Sequence, residues 1–230
     1  MKRLGLLGGM TWHSTVDYYR LINDGVQKRL GGSHSAELLL LSIDFVPVEA
    51  LQVKGDWAGM GRIMAGWARE LEAAGAEGLV ICTNTMHRLA GDVTAAIHIP
   101  LIHIADATAG AVKKAGLRTV GLLGTRYTME LDFYRGRLEK EHGLEVLIPE
   151  EPGRTLVHDV IYNELTYGNL RDESRAGYVK VIEDLVRRGA QGVILGCTEI
   201  PLLVKEKDSP VPVFDTTALH AAAAVDFALS

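Results

Sequence analysis

The sequence has no apolar run approaching the eighteen or so residues that span a membrane. Its opening, "MKRLGLLGGMTW", puts basic residues before an apolar run, but that run breaks at Gly8-Gly9, too early for a secretion signal. Basic clusters longer than a pair are also missing. With 24 Lys plus Arg against 29 Asp plus Glu, the net charge of -5 argues against a nucleic-acid footprint. The expected location is therefore the cytoplasm, where the only two cysteines, Cys82 and Cys197, are free thiols rather than a disulfide. Each thiol then belongs either to a core or to chemistry.

Several catalytic signatures are lacking as well. Eight histidines are present, yet none stands in H-x-x-x-H spacing and no C-x-x-C occurs, so no metal is expected. The absence of G-x-S-x-G removes the serine-hydrolase elbow. Neither G-x-G-x-x-G nor a Walker lysine follows the first glycine loop, which leaves little for a nucleotide to bind.

What the chain does have is 230 residues, 47% hydrophobic, enough for one large core or two modest ones. Short apolar runs ending at Gly, Thr or Asn alternate with longer segments of helical period. That alternation predicts an α/β fold with mostly parallel sheets. "RLGLLGG" reads as a first strand, "TVDYYRLINDGVQKRL" as its helix and "ELLLLSIDF" as the next strand. "MGRIMAGWARELEAAG" reads as a second helix closed by Gly75, and "EGLVICT" as the third strand.

The scheme then repeats: "RTVGLLGTR" matches "KRLGLLGGM", the helix "MELDFYRGRLEKEHG" precedes the strand "EVLIP", and "AQGVILGCTE" matches "AEGLVICTNT". Gly5 and Gly121 are 116 residues apart, and Thr83 and Cys197 are 114 apart. Offsets this close, in the same order, predict two related Rossmann-like half-domains. The expected division falls near Pro100, giving residues 1–100 plus 215–230 and residues 101–214. The closing "VPVFDTTALHAAAAVDFAL" supplies a strand and helix that return to the first half.

In open α/β sheets ligands sit beyond the carboxyl ends of the strands. Cys197 occupies such a place, after Gly196 and before Thr198 and Glu199, where the apolar run has ended. Cys82 instead closes the run "LVIC", and because strand side chains alternate, it points into the core if Thr83 points out. Aligning the two runs sets Cys197 opposite Thr83. Thr83, Asn84 and Thr85 then form a ligand-facing loop, with helix capping as their plainer role. The glycine loop "GLLGGMTW" and its counterpart "GLLGTRYT" can hold an anion on backbone N-H groups, with Thr125 and Thr128 as hydroxyl donors.

The combination "GLLGGM-T-W", "CTNTMH" and "GCTEI" resembles the aspartate/glutamate racemase family across essentially the whole chain, most nearly the bacterial members specific for L-aspartate and L-glutamate. The resemblance implies a cofactor-independent amino-acid racemase whose half-domains are related by a pseudo-twofold, with the active site in the cleft between them and a homodimeric assembly. It also implies two cysteines flanking the substrate Cα, one in C-N-T and one in G-C-T. Here the first motif reads T-N-T, with Thr83 where the thiol stands in the family. Cys197 is then expected to take the Cα proton of the L enantiomer, while Thr83 delivers one to the other face.

The same resemblance places the α-carboxylate among Asn84, Thr85, Thr125 and Thr198, with Met10 and Thr11 framing the other end. For the acidic side chain the candidate donors are Gln52, then Lys54. The arginine and lysine that relatives acting on aspartate carry are absent, Thr166 standing about where the lysine would. Glu199 and His87 could orient the site or tune the thiol. Their plainer roles are a helix N-terminal charge for Glu199 and a surface or capping residue for His87. Two other functions remain compatible: a single-thiol isomerase or decarboxylase acting on a dicarboxylate, and a binding protein that has lost catalysis through Thr83.

Overall fold

The structure, a computed structural model, describes residues 1–230. The chain divides into two compact units, Met1–Ile104 with His220–Ser230, and Ala105–Leu219.

The first unit carries strands β1 (Leu4–Gly8), β2 (Leu38–Ser42), β3 (Gly78–Ile81) and β4 (Leu101–Ile102). Its helices are α1 (Trp12–Leu30), α2 (Phe45–Lys54), α3 (Trp57–Ala73) and α4 (Ala90–Thr94). A further helix, α5 (Ile104–Lys114), leads into the second unit, so one boundary falls inside a helix. The sheet is parallel, in the order β2-β1-β3-β4.

The second unit repeats the plan with β5 (Thr119–Gly124), β6 (Glu145–Leu147), β7 (Val193–Gly196) and β8 (Val213–Asp215), in the order β6-β5-β7-β8. Its helices are α6 (Arg126–Glu130), α7 (Asp132–Lys140), α8 (Gly153–Asn163), α9 (Asp172–Arg187) and α10 (Ile200–Leu203). Helix α11 (Thr216–Ala228) contains the other boundary. No helix is long and apolar enough to cross a membrane.

The apolar runs behave as parallel strands require. Leu4, Leu6 and Leu7 of β1 are fully buried, because a central parallel strand is covered on both faces and has no polar side to show. Each such leucine contributes roughly 1.5–3 kcal/mol of transfer free energy.

Three sequence expectations differ from the fold. The domain division lies a few residues later than Pro100 and Asp215, because β4 hydrogen-bonds to β3 and β8 to β7, which hold both strands in their own sheets. Thus the closing strand stays in the second unit, and only most of α11 returns to the first. "SIDF" does not prolong β2: Asp44 caps a new helix by accepting the Val46 N-H, and α2 ends at Gly55 in the left-handed conformation. The stretch read as one helix after Gly124 is two, with Leu131 extended between α6 and α7.

Candidate active site

Each sheet ends in two chemistry-bearing loops. After β1 the chain turns at Gly9, whose φ of +90° and packing against the Ile43 backbone leave no room for a Cβ. Its N-H is taken by the Thr15 hydroxyl at 2.8 Å. Met10 is buried and packs with Val48 of α2, while Thr11 stands at the N-cap of α1. Gln52 is buried on α2, and Lys54 is exposed at its last residue.

At the end of β3 the two neighbours Cys82 and Thr83 separate as strand alternation demands. Cys82 is fully buried in an apolar cluster with Leu6, Val80 and Ala221, and burial pushes its thiol pKa far up. Thr83, 9% exposed, follows it, its N-H bonded to the Ile81 carbonyl at 2.8 Å. Asn84 and Thr85 are buried beyond it. Asn84 holds the N-cap position of a short 3-10 helix, Thr85–Leu89, but makes no side-chain cap.

The strand register shows which residues correspond. Leu7 pairs with Ile81 and Leu123 pairs with Leu195, and Leu7 and Leu123 hold the same place in the two Gly-Leu-Leu-Gly segments. Two residues beyond Ile81 is Thr83, and two beyond Leu195 is Cys197. Cys82 therefore matches Gly196, and the lone thiol at an equivalent strand end is Cys197.

Cys197 is 8% exposed, against an apolar cluster that includes Ile200 and Leu203. Its thiol donates to Glu199 Oε2 at 3.0 Å, and the Thr198 hydroxyl donates to the same oxygen at 2.7 Å. Burial, and next the negative charge of Glu199, hold the Cys197 pKa well above the usual thiol range. The raised pKa favours the protonated thiol, whose hydrogen points to Glu199. Glu199 sits at the N-cap of α10 and makes no side-chain cap there, its carboxylate turning to Cys197 and Thr198 instead.

The remaining candidates divide between the units. Thr125 caps α6 by accepting the Thr128 N-H at 3.3 Å, and the two hydroxyls lie 3.2 Å apart. Thr166 is spent locally, its hydroxyl donating to the Tyr162 carbonyl at 2.9 Å. His87 is neither on the surface nor a cap: it is 2% exposed and its Nδ1 lies 2.7 Å from the Thr83 carbonyl. Sequence reasoning missed the buried pair Tyr18 and His220, joined at 2.8 Å across 202 residues, for which no local pattern gives a signal. A groove of about 520 Å³ beside Pro149, Leu156 and Lys180 includes none of the candidate residues.

Two parallel sheets of identical order, each followed by a hydroxyl or thiol side chain just past its third strand, define an α/β protein of two like units, a class of fold in which ligands gather at the strand ends. The chain matches the Asp/Glu/hydantoin racemase family over residues 7–224 and belongs to that family, which makes it an amino-acid racemase. It is 54% identical to a proposed Asp/Glu racemase from Yersinia pestis, whose crystal structure it matches with a TM-score of 0.95 over 100% of both chains. An aspartate racemase homologue from Pyrococcus horikoshii matches at 36% identity and a TM-score of 0.85, again over 100% of both chains. The broad-specificity amino-acid racemase RacX of Bacillus subtilis is 24% identical over 223 residues, 96% of each chain.

Proposed function

We propose that the protein inverts Cα of L-aspartate and L-glutamate without a cofactor, with Cys197 and Thr83 acting on opposite faces of that carbon. The observation that carries this reading is the register equivalence of Thr83 and Cys197, together with the thiol-to-carboxylate hydrogen bond at Cys197. The names of the Yersinia and Pyrococcus relatives support the acidic substrates.

In the L-to-D direction Glu199 accepts the Cys197 S-H proton, and the thiolate so formed takes the Cα proton. The C-H electron pair stays on carbon as a carbanion delocalised into the α-carboxylate. Thr83 then gives its hydroxyl proton to the opposite face and regains one from water, and the hydroxide so formed takes the proton held by Glu199, which returns Cys197 as thiol and Glu199 as carboxylate. A thiolate is a usable base near neutral pH, whereas a threonine hydroxyl is too weak an acid to rest as an alkoxide, so the two ends are unequal in reverse. Free enantiomers are isoenergetic, however, so kcat/KM is equal in the two directions and the asymmetry falls on kcat and KM separately. Asn84, Thr85, Thr125 and Thr198 are proposed to hold the α-carboxylate, Met10 and Thr11 to frame the other end, and Gln52 to serve the side-chain carboxylate.

Proton NMR of L-aspartate and L-glutamate in D2O, with chiral analysis of the same samples, tests the reading. Loss of the Cα signal with accumulation of the D enantiomer supports it. Exchange with retained L configuration would leave Cys197 active and remove Thr83 from the mechanism, and no exchange at all would sink the reading for these substrates.

A further inference from the structure

A threonine oxygen is one bond from Cβ, and a β-branched side chain is stiff at χ1, so the backbone decides where the Thr83 hydroxyl points. The backbone there is a strand end turning into a 3-10 helix whose N-cap residue, Asn84, contributes no side-chain cap. What holds the Thr83 carbonyl is the His87 ring.

The hydrogens in this contact are fixed by their partners. A carbonyl only accepts, so His87 Nδ1, 2.7 Å from the Thr83 carbonyl, carries the hydrogen. His87 Nε2 lies 3.3 Å from the Ile104 N-H, which only donates, so that nitrogen is bare. The ring is therefore the neutral Nδ1-H tautomer, tying the end of β3 to the first residue of α5.

Ile104 is itself braced. His220 Nε2 lies 2.6 Å from the Ile102 carbonyl and so carries its hydrogen, leaving Nδ1 to accept from the Tyr18 hydroxyl at 2.8 Å. His220 has the opposite tautomer, and its ring centroid is 5.5 Å from that of His87. The two rings thus hold Ile102 and Ile104 on either side of His103.

No such device stands at the other strand end. Four residues past Cys197 is Pro201, and the Cys197 carbonyl takes the Ile200 N-H at 3.1 Å instead.

We propose that His87 is a positioning residue that aims the Thr83 hydroxyl through the Thr83 main-chain carbonyl, and so governs inversion without governing proton abstraction by Cys197. This rests on Thr83 being the second proton-transfer group. In D2O, Cys197 acting alone exchanges the Cα hydrogen of L-aspartate with retention, whereas inversion also needs Thr83, so the ratio of the two products isolates the Thr83 side.

The test compares the wild type with His87→Leu, which has no donor, and His87→Asn, whose amide N-H can take the place of Nδ1-H. His87→Leu is expected to lower the inversion-to-retention ratio about tenfold or more, with KM for L-aspartate little changed and His87→Asn restoring most of the ratio. Equal loss of both products in His87→Leu and His87→Asn, with the ratio kept, would show a merely structural role and overturn the proposal. Should the leucine variant fail to fold, nitrogen NMR of the wild-type His87 ring decides: a protonated Nδ1 is required, and the Nε2-H tautomer overturns the proposal. A wild type that exchanges without any inversion brings down the Thr83 reading itself, an outcome distinct from failure at His87.

Discussion

The ends of β3 and β7 occupy the same place in two sheets of the same order, yet they are furnished differently. At β3 the thiol is one residue early and lies inside the core, while a hydroxyl holds the equivalent position. At β7 the thiol holds that position and a buried carboxylate two residues on receives its hydrogen. The two sheets share a frame, and the groups at their third strand ends differ. In the proposed mechanism a thiol needs a proton acceptor to become a base, and Cys197 has the Glu199 carboxylate beside it; a hydroxyl that only donates needs aim, and the Thr83 carbonyl has the His87 ring.

Removing Cys197 should have the largest effect. General acid-base groups contribute about 10²- to 10⁴-fold, so Cys197→Ser is expected to abolish Cα exchange from L substrate by roughly 10³-fold. Deuterium incorporation followed by NMR checks it, and full activity would end the comparison. Thr83→Ala should cost inversion about 10²-fold while leaving exchange with retention. Thr83→Cys puts a thiol at both ends, and should raise kcat from the D enantiomer relative to the L enantiomer.

Glu199→Gln separates two roles of one carboxylate. Its charge holds the Cys197 pKa up, so the variant should bring the thiol titration to lower pH. If the charge acted only by repulsion, activity near neutrality would rise. As a proton acceptor Glu199 is needed, and kcat should instead fall by about 10²-fold, measured across a pH profile. Cys82→Ser should leave kcat unchanged but put a hydroxyl among apolar side chains, costing about 1–3 kcal/mol in denaturant titration.

The last effect is confined to acid pH and concerns His220, which burial holds neutral with a pKa lowered to about 4. Below about 6.5 the unfolded chain takes up a proton that the folded chain refuses, so stability falls as pH drops from there toward 4. No contribution arises above that window, where both states are neutral. His220→Gln, which does not titrate, should flatten this part of the stability profile by up to about 3 kcal/mol.

Much of this was legible because parallel strands are buried on both faces and announce themselves as short apolar runs. The offset between Cys82 and Thr83 could be read from alternation alone. Helix α2 was not legible: "FVPVEALQVK" has no clear apolar period, and its limits are set by the Asp44 cap and Gly55. Nor was the bracing of Thr83, since Tyr18, His220 and Ile102 meet only after strands and helices far apart in sequence have packed. Glu199 stood next to the motif, but whether it would cap α10 or receive a thiol hydrogen depended on where its side chain turned.

The burial of Cys82 has a practical consequence. A sulphur with no exposed surface is shielded from alkylating reagents while the chain stays folded, and Cys197, 8% exposed, is nearly as enclosed. Alkylation of the native protein therefore reads how far the fold has opened, and the two equivalents taken up after denaturation measure the total chain present.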